Sequence, residues 1–281
     1  MPETITANEF KLLRDLIEQS CGIALGEEKA YLVETRLVGL MTQNGCEDYG
    51  SFYRLVAGAP DHQLRDKIVD AMTTNETLWF RDTHPFTILR EQLLPPLAEA
   101  LRGGSRYRVR IWSGASSTGQ EAYSIAMTIL ELCRTSPGLR PDQFEIMATD
   151  ISPSALFLAK AGRYDEMALS RGLGPEFRAR YFHQDGRVWA VNDEVKSLVT
   201  FRRFNLQDNL EPLGHFDVVF LRYVAIYFSD ALKRQIYQGI ARLLAPDGHL
   251  FISAVESLRG ISDQFTQLSH AGGSYYRCLP S

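Results

Sequence analysis

The segment R-V-R-I-W-S-G-A-S-S-T-G-Q-E-A-Y-S-I-A-M, residues 108–127, decides the fold of this chain. Its first part, 109–113, is β-prone and contains neither proline nor glycine, whereas apolar residues after Gly119 recur at helical spacing. The segment therefore predicts a strand, a loop of small residues and a helix. Such a loop lets the backbone approach a ligand, and the start of the helix offers free N–H groups and a partial positive charge.

The loop from Gly114 to Gly119 reads G-A-S-S-T-G, which is not the G-x-G-x-x-G pattern of dinucleotide-binding proteins. The sequence also contains no G-x-x-x-x-G-K-[ST] motif, so a nucleoside triphosphate is poorly matched. A second β-prone run, 144–149, ends in Asp150, and Ser152-Pro153 after it is a typical helix start. An acid at this place can accept hydrogen bonds from both ribose hydroxyls of an adenosine.

Size and composition limit the class of protein. A chain of 281 residues can bury a real core, as one large domain with a smaller companion or as two unequal domains. The net charge of −4 gives no electrostatic reason to expect nucleic acid or an anionic membrane as a partner. Four scattered cysteines without a C-x-x-C pair indicate neither a disulfide framework nor a zinc site. Without a signal segment or an apolar run that could span a bilayer, we expect a soluble, cytoplasmic protein.

The first part of the chain is predicted to be helical and self-contained. Thr6 and Glu9 form a capping-box pattern, apolar residues recur at helical spacing, and breaks are expected at Gly45 and at 58–60. The segment T-T-N-E-T-L-W-F-R-D, residues 73–82, then leads into a helix that is predicted to end near residue 102. Two interpretations of this segment are open: a linker whose aromatic side chains fill the domain interface, or a part of the cleft where a ligand binds between two domains.

The chain after Asp150 predicts the rest of an α/β domain with a small insertion. Two short β-prone runs, 187–191 and 197–201, predict antiparallel strands in that insertion. The predicted division of the chain is a helical domain (1–75), a linker with a connecting helix (76–105) and an α/β domain (106–281) that carries the small β insertion at about 181–201.

Further strands bring polar residues to the same edge of the predicted sheet. Asn205 ends one strand, and 216–221 is a continuous apolar run typical of a strand that is buried on both faces. Arg222 and Tyr223 follow that run at its carboxyl end, where open α/β sheets bind their ligands. A last buried strand is predicted at 249–254. The alternation of strands and helices predicts a mostly parallel sheet covered on both faces.

Several motifs of the chain resemble those of a known class of enzymes. The loop after the first strand, the acid after the second, F-D-V-V-F at 216–220 and L-A-P-D-G-H-L-F-I at 244–252 are similar to S-adenosylmethionine-dependent methyltransferases with the Rossmann-like fold. More narrowly, the chain resembles the CheR family, the chemoreceptor glutamate methyltransferases. Four motifs carry this resemblance: N-E-T-L-W-F-R (75–81), I-W-S-G-A-S-S-T-G-Q-E-A-Y-S (111–124), A-T-D-I-S (148–152) and L-R-Y-V-A-I-Y-F (221–228).

The resemblance implies a function and a set of site residues. The function is transfer of the methyl group of S-adenosylmethionine, without a metal, to glutamate carboxylates in the cytoplasmic domain of a methyl-accepting chemoreceptor. The products are glutamate methyl esters and S-adenosylhomocysteine, and the reaction serves adaptation in a chemosensory pathway. Arg81 and Tyr227 match positions proposed to lie beside the reacting atoms. Positions that match cofactor contacts are Asn75, Thr77 and Arg81 near the methionine end, Gly114 in the loop, Glu121 for the methionyl part, Asp150 for the ribose, Asn205 and Leu206 for the adenine, and the pair Arg222 and Tyr223.

The chemistry explains why these residue types suffice. A glutamate side chain with a pKa near ~4.3 is ionised at neutral pH, so methyl transfer to it needs no general base. The reaction requires a carboxylate oxygen in line with the sulfonium methyl, with water excluded. We expect Arg81 to grip the carboxylate with its planar donor fork and Tyr227 to hold an oxygen through its hydroxyl. From the residues alone, Glu121 also fits a capping box, and Asp150 also fits a charge beside the positive end of the next helix. Tyr227 also fits a core aromatic.

The chain departs from the family pattern at three places. The family usually has Asn where this chain has Tyr223, which changes the cofactor affinity or leaves a contact made mainly by the backbone. Some members carry a run of arginines after the position of Arg36, where this chain reads L-V-G-L-M, and this argues against receptor docking through that face. The turn at 183–186 is shorter than in members that tether to a receptor's carboxyl-terminal pentapeptide, so we expect no such tethering.

Two rival functions fit the same fold. A nucleic-acid methyltransferase would commonly carry an N-P-P-Y-like loop where this chain reads L-R-Y-V-A-I-Y-F, or a cysteine after proline, and the chain has neither. A cofactor-binding regulatory relative with little activity is the second rival, because Tyr223 replaces the usual Asn. The fold alone does not separate these functions.

Overall fold

A computed structural model describes residues 4–59 and 63–279 of the chain. Its first part is helical, with α1 (Ala7–Cys21), a 3₁₀ turn (Glu27–Lys29), α2 (Ala30–Gln43), α3 (Tyr49–Gly58) and α4 (Gln63–Met72). The predicted capping box is confirmed, because the amides of Glu9 and Thr6 each donate to the other residue's side chain. The break predicted at 58–60 lies partly outside the described residues.

The apolar faces of these helices pack on one another. Leu13 and Ile17 of α1, Leu37 of α2 and Phe52 of α3 are fully buried in this core. Burial of each such side chain contributes about 1.5–3 kcal/mol. We propose on this basis that residues 1–75 fold as a separate domain.

Trp79 anchors the segment that leads from the helical part to the α/β part. Its indole is fully buried, with ring centroids 4.9 Å from Tyr164 and 5.2 Å from Phe182 in edge-on contacts. The indole N–H donates to the carbonyl of Ala168 at 3.0 Å. All of these partners belong to the α/β part, so Trp79 packs inside that part, and the interpretation that it fills the interface between the two parts is wrong. The helical run predicted after it follows as α5 (His84–Ile88), a π-helical turn (Leu89–Leu93) and α6 (Leu94–Arg102).

The second part of the chain is built on a mostly parallel sheet. Within 4–59 and 63–279 its seven strands are β1 (Val109–Gly114), β2 (Phe144–Asp150), β6 (Val199–Arg203), β7 (Phe216–Leu221), β8 (Leu244–Phe251), β9 (Phe265–His270) and β10 (Gly273–Cys278). Their order across the sheet is β6-β2-β1-β7-β8-β10-β9. The first five in this order are parallel. β10 pairs antiparallel with both β8 and β9, so it is the one strand of this sheet that runs in the opposite direction. The longer helices of this part are α7 (Gln120–Thr135), α8 (Pro153–Ala161) and α12 (Asp230–Leu243).

Both faces of the central strands are buried. Ile111 and Val218 point into one core cluster, whereas their neighbours Trp112 and Val219 point into the other, and all four are fully buried. This alternation is what the continuous apolar run of β7 predicts. The expected α/β architecture, with strand ends gathered at one edge, is confirmed.

The antiparallel insertion is present but is built from other strands than predicted. Among the described residues it has three strands in the order β3-β5-β4, namely β3 (Arg163–Tyr164), β4 (Phe182–Asp185) and β5 (Val188–Val191), with the short helices α9 (Glu166–Ser170) and α10 (Pro175–Tyr181) between β3 and β4. The assignment of 197–201 to this insertion is wrong, because β6 pairs in parallel with β2 at the edge of the large sheet. The short helix α11 (Asp193–Lys196) carries the chain back to that edge. A β-prone run of five residues does not reveal which strand it pairs with.

The end of the sheet also differs from the prediction. The strand expected at 249–254 begins at Leu244, before the P-D-G turn signal, and its pairing with β7 shifts register between Phe216 and Val218. The β9–β10 hairpin was not predicted, although A-G-G at 271–273 is a turn signal. No helix in the described ranges is long and apolar enough to cross a membrane.

Gly172 allows the chain to pass directly against the carbonyl of Trp79. Its φ is +98°, and a Cβ at this position would overlap that carbonyl oxygen. We expect Gly172→Ala to lower the free energy of unfolding by about 2–5 kcal/mol, from left-handed strain and overpacking together. Gly186→Ala is the matched control, because its φ is +64° with no atom within 4 Å of the added Cβ, so it loses only about 1–2 kcal/mol. Urea unfolding compares the two, and equal losses would contradict the close contact.

Candidate active site

The carboxyl ends of β1, β2 and β7 open into a cleft between the helical part and the α/β part. The cleft holds about 940 Å³ of empty space, its open mouth included. The α/β part contributes the loop after β1 and the strand ends. Cys21 and Ile23 come from the helical part.

The loop after β1 is stretched around the floor of this cleft. Ala115 and Ser117 have φ of +54° and +50°, left-handed conformations that cost a residue with a Cβ about 1–2 kcal/mol. The hydroxyl of Ser117 donates to the carbonyl of Asn75 at 2.8 Å, which ties the loop to the linker. The buried hydroxyl of Ser116 has no hydrogen-bond partner within the described part of the chain. A polar group is therefore available for a ligand.

Asp150 ends β2 with a buried carboxylate. It accepts hydrogen bonds from the amides of Ser117 at 2.7 Å and Ser152 at 2.9 Å. Burial raises the pKa of this carboxyl above its ordinary value, and the two N–H donors oppose that rise. Since each oxygen accepts one of these bonds and keeps a free lone pair, the carboxylate can also accept hydroxyl donors from the cleft.

The guanidinium of Arg222 ties three parts of the site together. Its side chain is 1% exposed, and Nη1 donates to Glu121 at 2.8 Å. Nη2 donates to Asp82 at 2.5 Å and to the carbonyl of Arg81 at 2.9 Å. The other carboxylate oxygen of Glu121 accepts from the hydroxyl of Ser113 at 2.8 Å. Nε of Arg222 has no hydrogen-bond partner in the ranges that the structure describes.

Arg81 projects from a tight turn in the linker. Phe80, Asp82 and Thr83 around it have φ of +47°, +69° and +56°, an arrangement that costs about 1–2 kcal/mol for each such residue. The guanidinium carbon of Arg81 lies 3.3 Å from the centroid of the Tyr223 ring. Arg81 thus lines the cleft, as the second interpretation of this segment predicts. The aromatic side chains of Trp79 and Phe80 pack within the α/β part.

Tyr223 itself has a left-handed backbone, with φ of +60°. Its hydroxyl donates to Asp82 at 2.8 Å, and its amide donates to Glu256 at 3.1 Å. Burial and the hydrogen bond with Asp82 raise the pKa of the Tyr223 hydroxyl.

Tyr227 is held by the helical part of the chain. Its carbonyl accepts from the amide of Ala24 at 2.9 Å, and its neighbour Phe228 forms an antiparallel bridge with Ile23. The residue is 37% exposed and borders the cleft, which leaves it accessible to a substrate.

The side chain of Asn205 is largely occupied by structural contacts. Its amide nitrogen donates to the carbonyl of Ser20 at 3.0 Å, and its oxygen accepts from the amide of Gln207 at 3.1 Å. One lone pair of that oxygen remains for a ligand. Leu206 next to it lines the same side of the cleft.

The cleft brings together most of the residues predicted for the site: Asn75, Thr77, Arg81, Glu121, Asp150, Asn205, Leu206, Arg222, Tyr223 and Tyr227. Gly114 does not line it; a Cβ there would lie 2.9 Å from the side chain of Leu221, so packing within the sheet restricts this position. No individual role was predicted from the sequence for Cys21, Ile23, Ser116, Ser117 and Asp82. Asp82 gives no local signal, because Arg222 is 140 residues away. No cluster of His, Cys, Asp and Glu side chains that could hold a metal ion is found among the described residues.

Comparison with known proteins assigns both parts of the chain. Residues 8–73 match the family model of the CheR methyltransferase all-alpha domain, and residues 75–273 match that of the CheR methyltransferase SAM binding domain. With its open, mostly parallel sheet and the cleft at the strand ends, the protein is an S-adenosylmethionine-dependent methyltransferase.

The relatives are similar over nearly their whole length. The chain is 46% identical to a chemotaxis protein methyltransferase of Vibrio parahaemolyticus over 98% of both chains. It is also 46% identical to chemotaxis protein methyltransferase 1 of Pseudomonas aeruginosa, over 96% of this chain and 97% of the relative. The Escherichia coli chemotaxis protein methyltransferase is 33% identical over 92% of this chain and 87% of its own length. The chain belongs to the CheR methyltransferase family.

The buried pair of Glu121 and Arg222 predicts a measurable loss of stability. Glu121→Ala removes one of the two carboxylates that neutralise Arg222 and an acceptor for Ser113. Since Asp82 remains, we expect the free energy of unfolding to fall by about 2–3 kcal/mol. Asp142→Ala is the control, because Asp142 and its partner Arg140 are 72% and 68% exposed. Thermal unfolding should show no change for this control. A similar loss of stability in both variants would contradict the stabilising role of the buried ion pair between Glu121 and Arg222.

Proposed function

We propose that this methyltransferase transfers methyl groups to glutamate side chains in the cytoplasmic domain of a methyl-accepting chemoreceptor, for adaptation in a chemosensory pathway. The relatives named as chemotaxis protein methyltransferases support the pathway. The observation that carries the chemistry is the guanidinium of Arg81, which lines the same cleft as the Glu121 and Asp150 carboxylates. A cationic fork suits a carboxylate substrate.

The residues of the cleft fit S-adenosylmethionine. We assign Asp150 to the ribose hydroxyls, and Asn205 with Leu206 to the adenine. Glu121 suits the ammonium of the methionyl part. Two buried polar atoms without partners in the described chain, Ser116 Oγ and Arg222 Nε, border the cleft and are available for further polar groups of the cofactor.

Asn75 and Thr77 complete the proposed methionine end of the cofactor site. Both line the cleft, and the side-chain amide of Asn75 donates to Ser152 at 3.3 Å. The main chain at Arg222 and Tyr223 closes the same end. The binding groups are thus drawn from the linker and from the ends of β1, β2 and β7.

The chemistry needs positioning rather than proton transfer. When bound, S-adenosylmethionine supplies an activated methyl group whose sulfur leaves as the thioether of S-adenosylhomocysteine. The acceptor glutamate is ionised at neutral pH, so no base is required. Arg81 holds the carboxylate, and the Tyr227 hydroxyl donates to one of its oxygens. A sulfonium methyl is already electrophilic, so we infer that no metal ion takes part.

This reaction belongs in the cytoplasm, where the acceptor domain lies. The four cysteines, Cys21, Cys46, Cys133 and Cys278, are free thiols, as a reducing compartment allows. A nucleic-acid methyltransferase is not favoured, because the near full-length relatives are chemotaxis enzymes and the net charge is −4. A regulatory relative with low activity is likewise not favoured.

Replacement of Arg81 tests the proposal. Radiolabelled methyl groups are transferred from S-adenosylmethionine to receptor-containing membranes, and mild base releases methyl esters as volatile methanol. We expect Arg81→Lys to lose at least about tenfold in rate, since a point charge cannot reproduce the planar fork. Arg140→Lys, at an exposed arginine outside the cleft, should keep the wild-type rate. Near wild-type turnover in Arg81→Lys, or base-stable counts in the wild type, would overturn the proposal.

Receptor recognition is proposed not to require the receptor's carboxyl-terminal pentapeptide. The β4–β5 hairpin of the insertion turns within Asp185-Gly186-Arg187-Val188, which leaves only two residues between the paired ends. We expect removal of the last five residues of a receptor to change the methylation rate by less than about twofold, since the binding energy then lies elsewhere. A drop of tenfold or more in the same assay would show that the hairpin does tether the receptor.

A further inference from the structure

The backbone of Tyr223 has a conformation that an aromatic residue rarely adopts. Its φ of +60° lies in the left-handed region, which favours Gly, Asn and Asp. Residues held in such conformations persist only where their surroundings over-determine them, and they cluster at functional sites.

Tyr223 is fixed at both of its ends. Its backbone amide donates to Glu256 at 3.1 Å, and the same carboxylate oxygen accepts from the amide and hydroxyl of Ser253 at 2.9 and 2.6 Å. At the far end of the side chain, the hydroxyl donates to Asp82, which also accepts from the buried guanidinium of Arg222. The plane of the ring is therefore defined by the framework of the site.

The face of that ring carries the guanidinium of Arg81. The distance of 3.3 Å between the guanidinium carbon and the ring centroid is that of a direct stack. Within residues 4–59 and 63–279, the one hydrogen bond of the Arg81 side chain is a long one, from Nη1 to the carbonyl of Glu76 at 3.3 Å. The ring is thus the main contact that orders this guanidinium.

We propose that Tyr223 is a positioning residue, whose ring holds the Arg81 guanidinium in the orientation that receives the acceptor carboxylate. This inference rests on the proposed function, in which Arg81 binds that carboxylate. It assigns the side chain of Tyr223 to the substrate side of the reaction, so that a change of this ring alters the use of the acceptor and leaves the affinity for the cofactor unchanged.

Two substitutions distinguish the contribution of the Tyr223 ring from that of its hydroxyl. Tyr223→Phe keeps the aromatic face and loses the hydrogen bond to Asp82, whereas Tyr223→Asn suits the positive φ and removes the ring. We expect Tyr223→Asn to lose between about threefold and about thirtyfold in kcat/KM for the receptor, which is the range of a cation–π contact. Tyr223→Phe should keep most of the wild-type kcat/KM. The Kd for S-adenosylmethionine, measured by calorimetry, should be unchanged in both variants.

Thermal unfolding adds a readout that a merely structural role would not give. Because Asn accepts a left-handed backbone, Tyr223→Asn should unfold no earlier than the wild type while its activity falls. If the Kd for the cofactor rises in proportion to the lost activity, Tyr223 contacts the cofactor and the proposal is wrong. It is equally wrong if Tyr223→Phe is as impaired as Tyr223→Asn, because the hydroxyl would then be the acting group.

A direct measurement makes the test independent of the methylation assay. In the protein with isotope-labelled arginine, the Arg81 side-chain NMR signals, assigned by their loss in Arg81→Lys, should show an upfield ring-current shift. The shift should persist in Tyr223→Phe and disappear in Tyr223→Asn. An unshifted wild-type signal would overturn the stack. Failure of the wild type to methylate any receptor would instead count against the proposed function, while the NMR result still decides the role of Tyr223.

Discussion

The buried guanidinium of Arg222 is the interaction on which the rest of the site depends. A charge with an exposure of 1% must be paired, and the two carboxylates that pair with it come from different elements, Glu121 from α7 and Asp82 from the linker. The same guanidinium binds the carbonyl of Arg81. The linker turn therefore cannot relax to ordinary backbone conformations without leaving a buried charge only partly compensated.

The helical part completes the cleft through the end of its first helix. The last carbonyls of a helix lack partners within the helix, and those of Glu18 and Ser20 in α1 accept from the side chains of Gln207 and Asn205. One set of hydrogen bonds thus caps a helix and fixes the loop at the proposed adenine side. The hydrogen bond from the amide of Ala24 to the carbonyl of Tyr227 fixes the chain at the proposed reacting side. The helical part therefore forms one side of the cleft.

The features that depend on local pattern could be predicted from the sequence. The strand–loop–helix after residue 108, the acid at the end of β2 and the buried run of β7 follow from periodicity and turn chemistry. The sequence pattern did not predict the pairing of β6 with β2 or the role of Asp82, because both depend on contacts between residues far apart in the chain. Gly114 illustrates a subtler failure. A glycine in a small-residue loop suggests close approach of a ligand, whereas here the close neighbour is the side chain of Leu221.

The strained backbone around Arg81 agrees with the chemistry that is proposed for this cleft. Where the acceptor is already ionised and the methyl group already activated, proton transfer offers no acceleration, and the enzyme can act only through alignment and exclusion of water. In the proposed reaction, this alignment requires that the Arg81 guanidinium keep a fixed orientation. An arginine on a flexible loop would lose its side-chain entropy each time a substrate bound. Holding Arg81 on an aromatic face beside a turn with three left-handed residues moves that cost from substrate binding into folding, where the buried ion pairs of Arg222 already fix the framework.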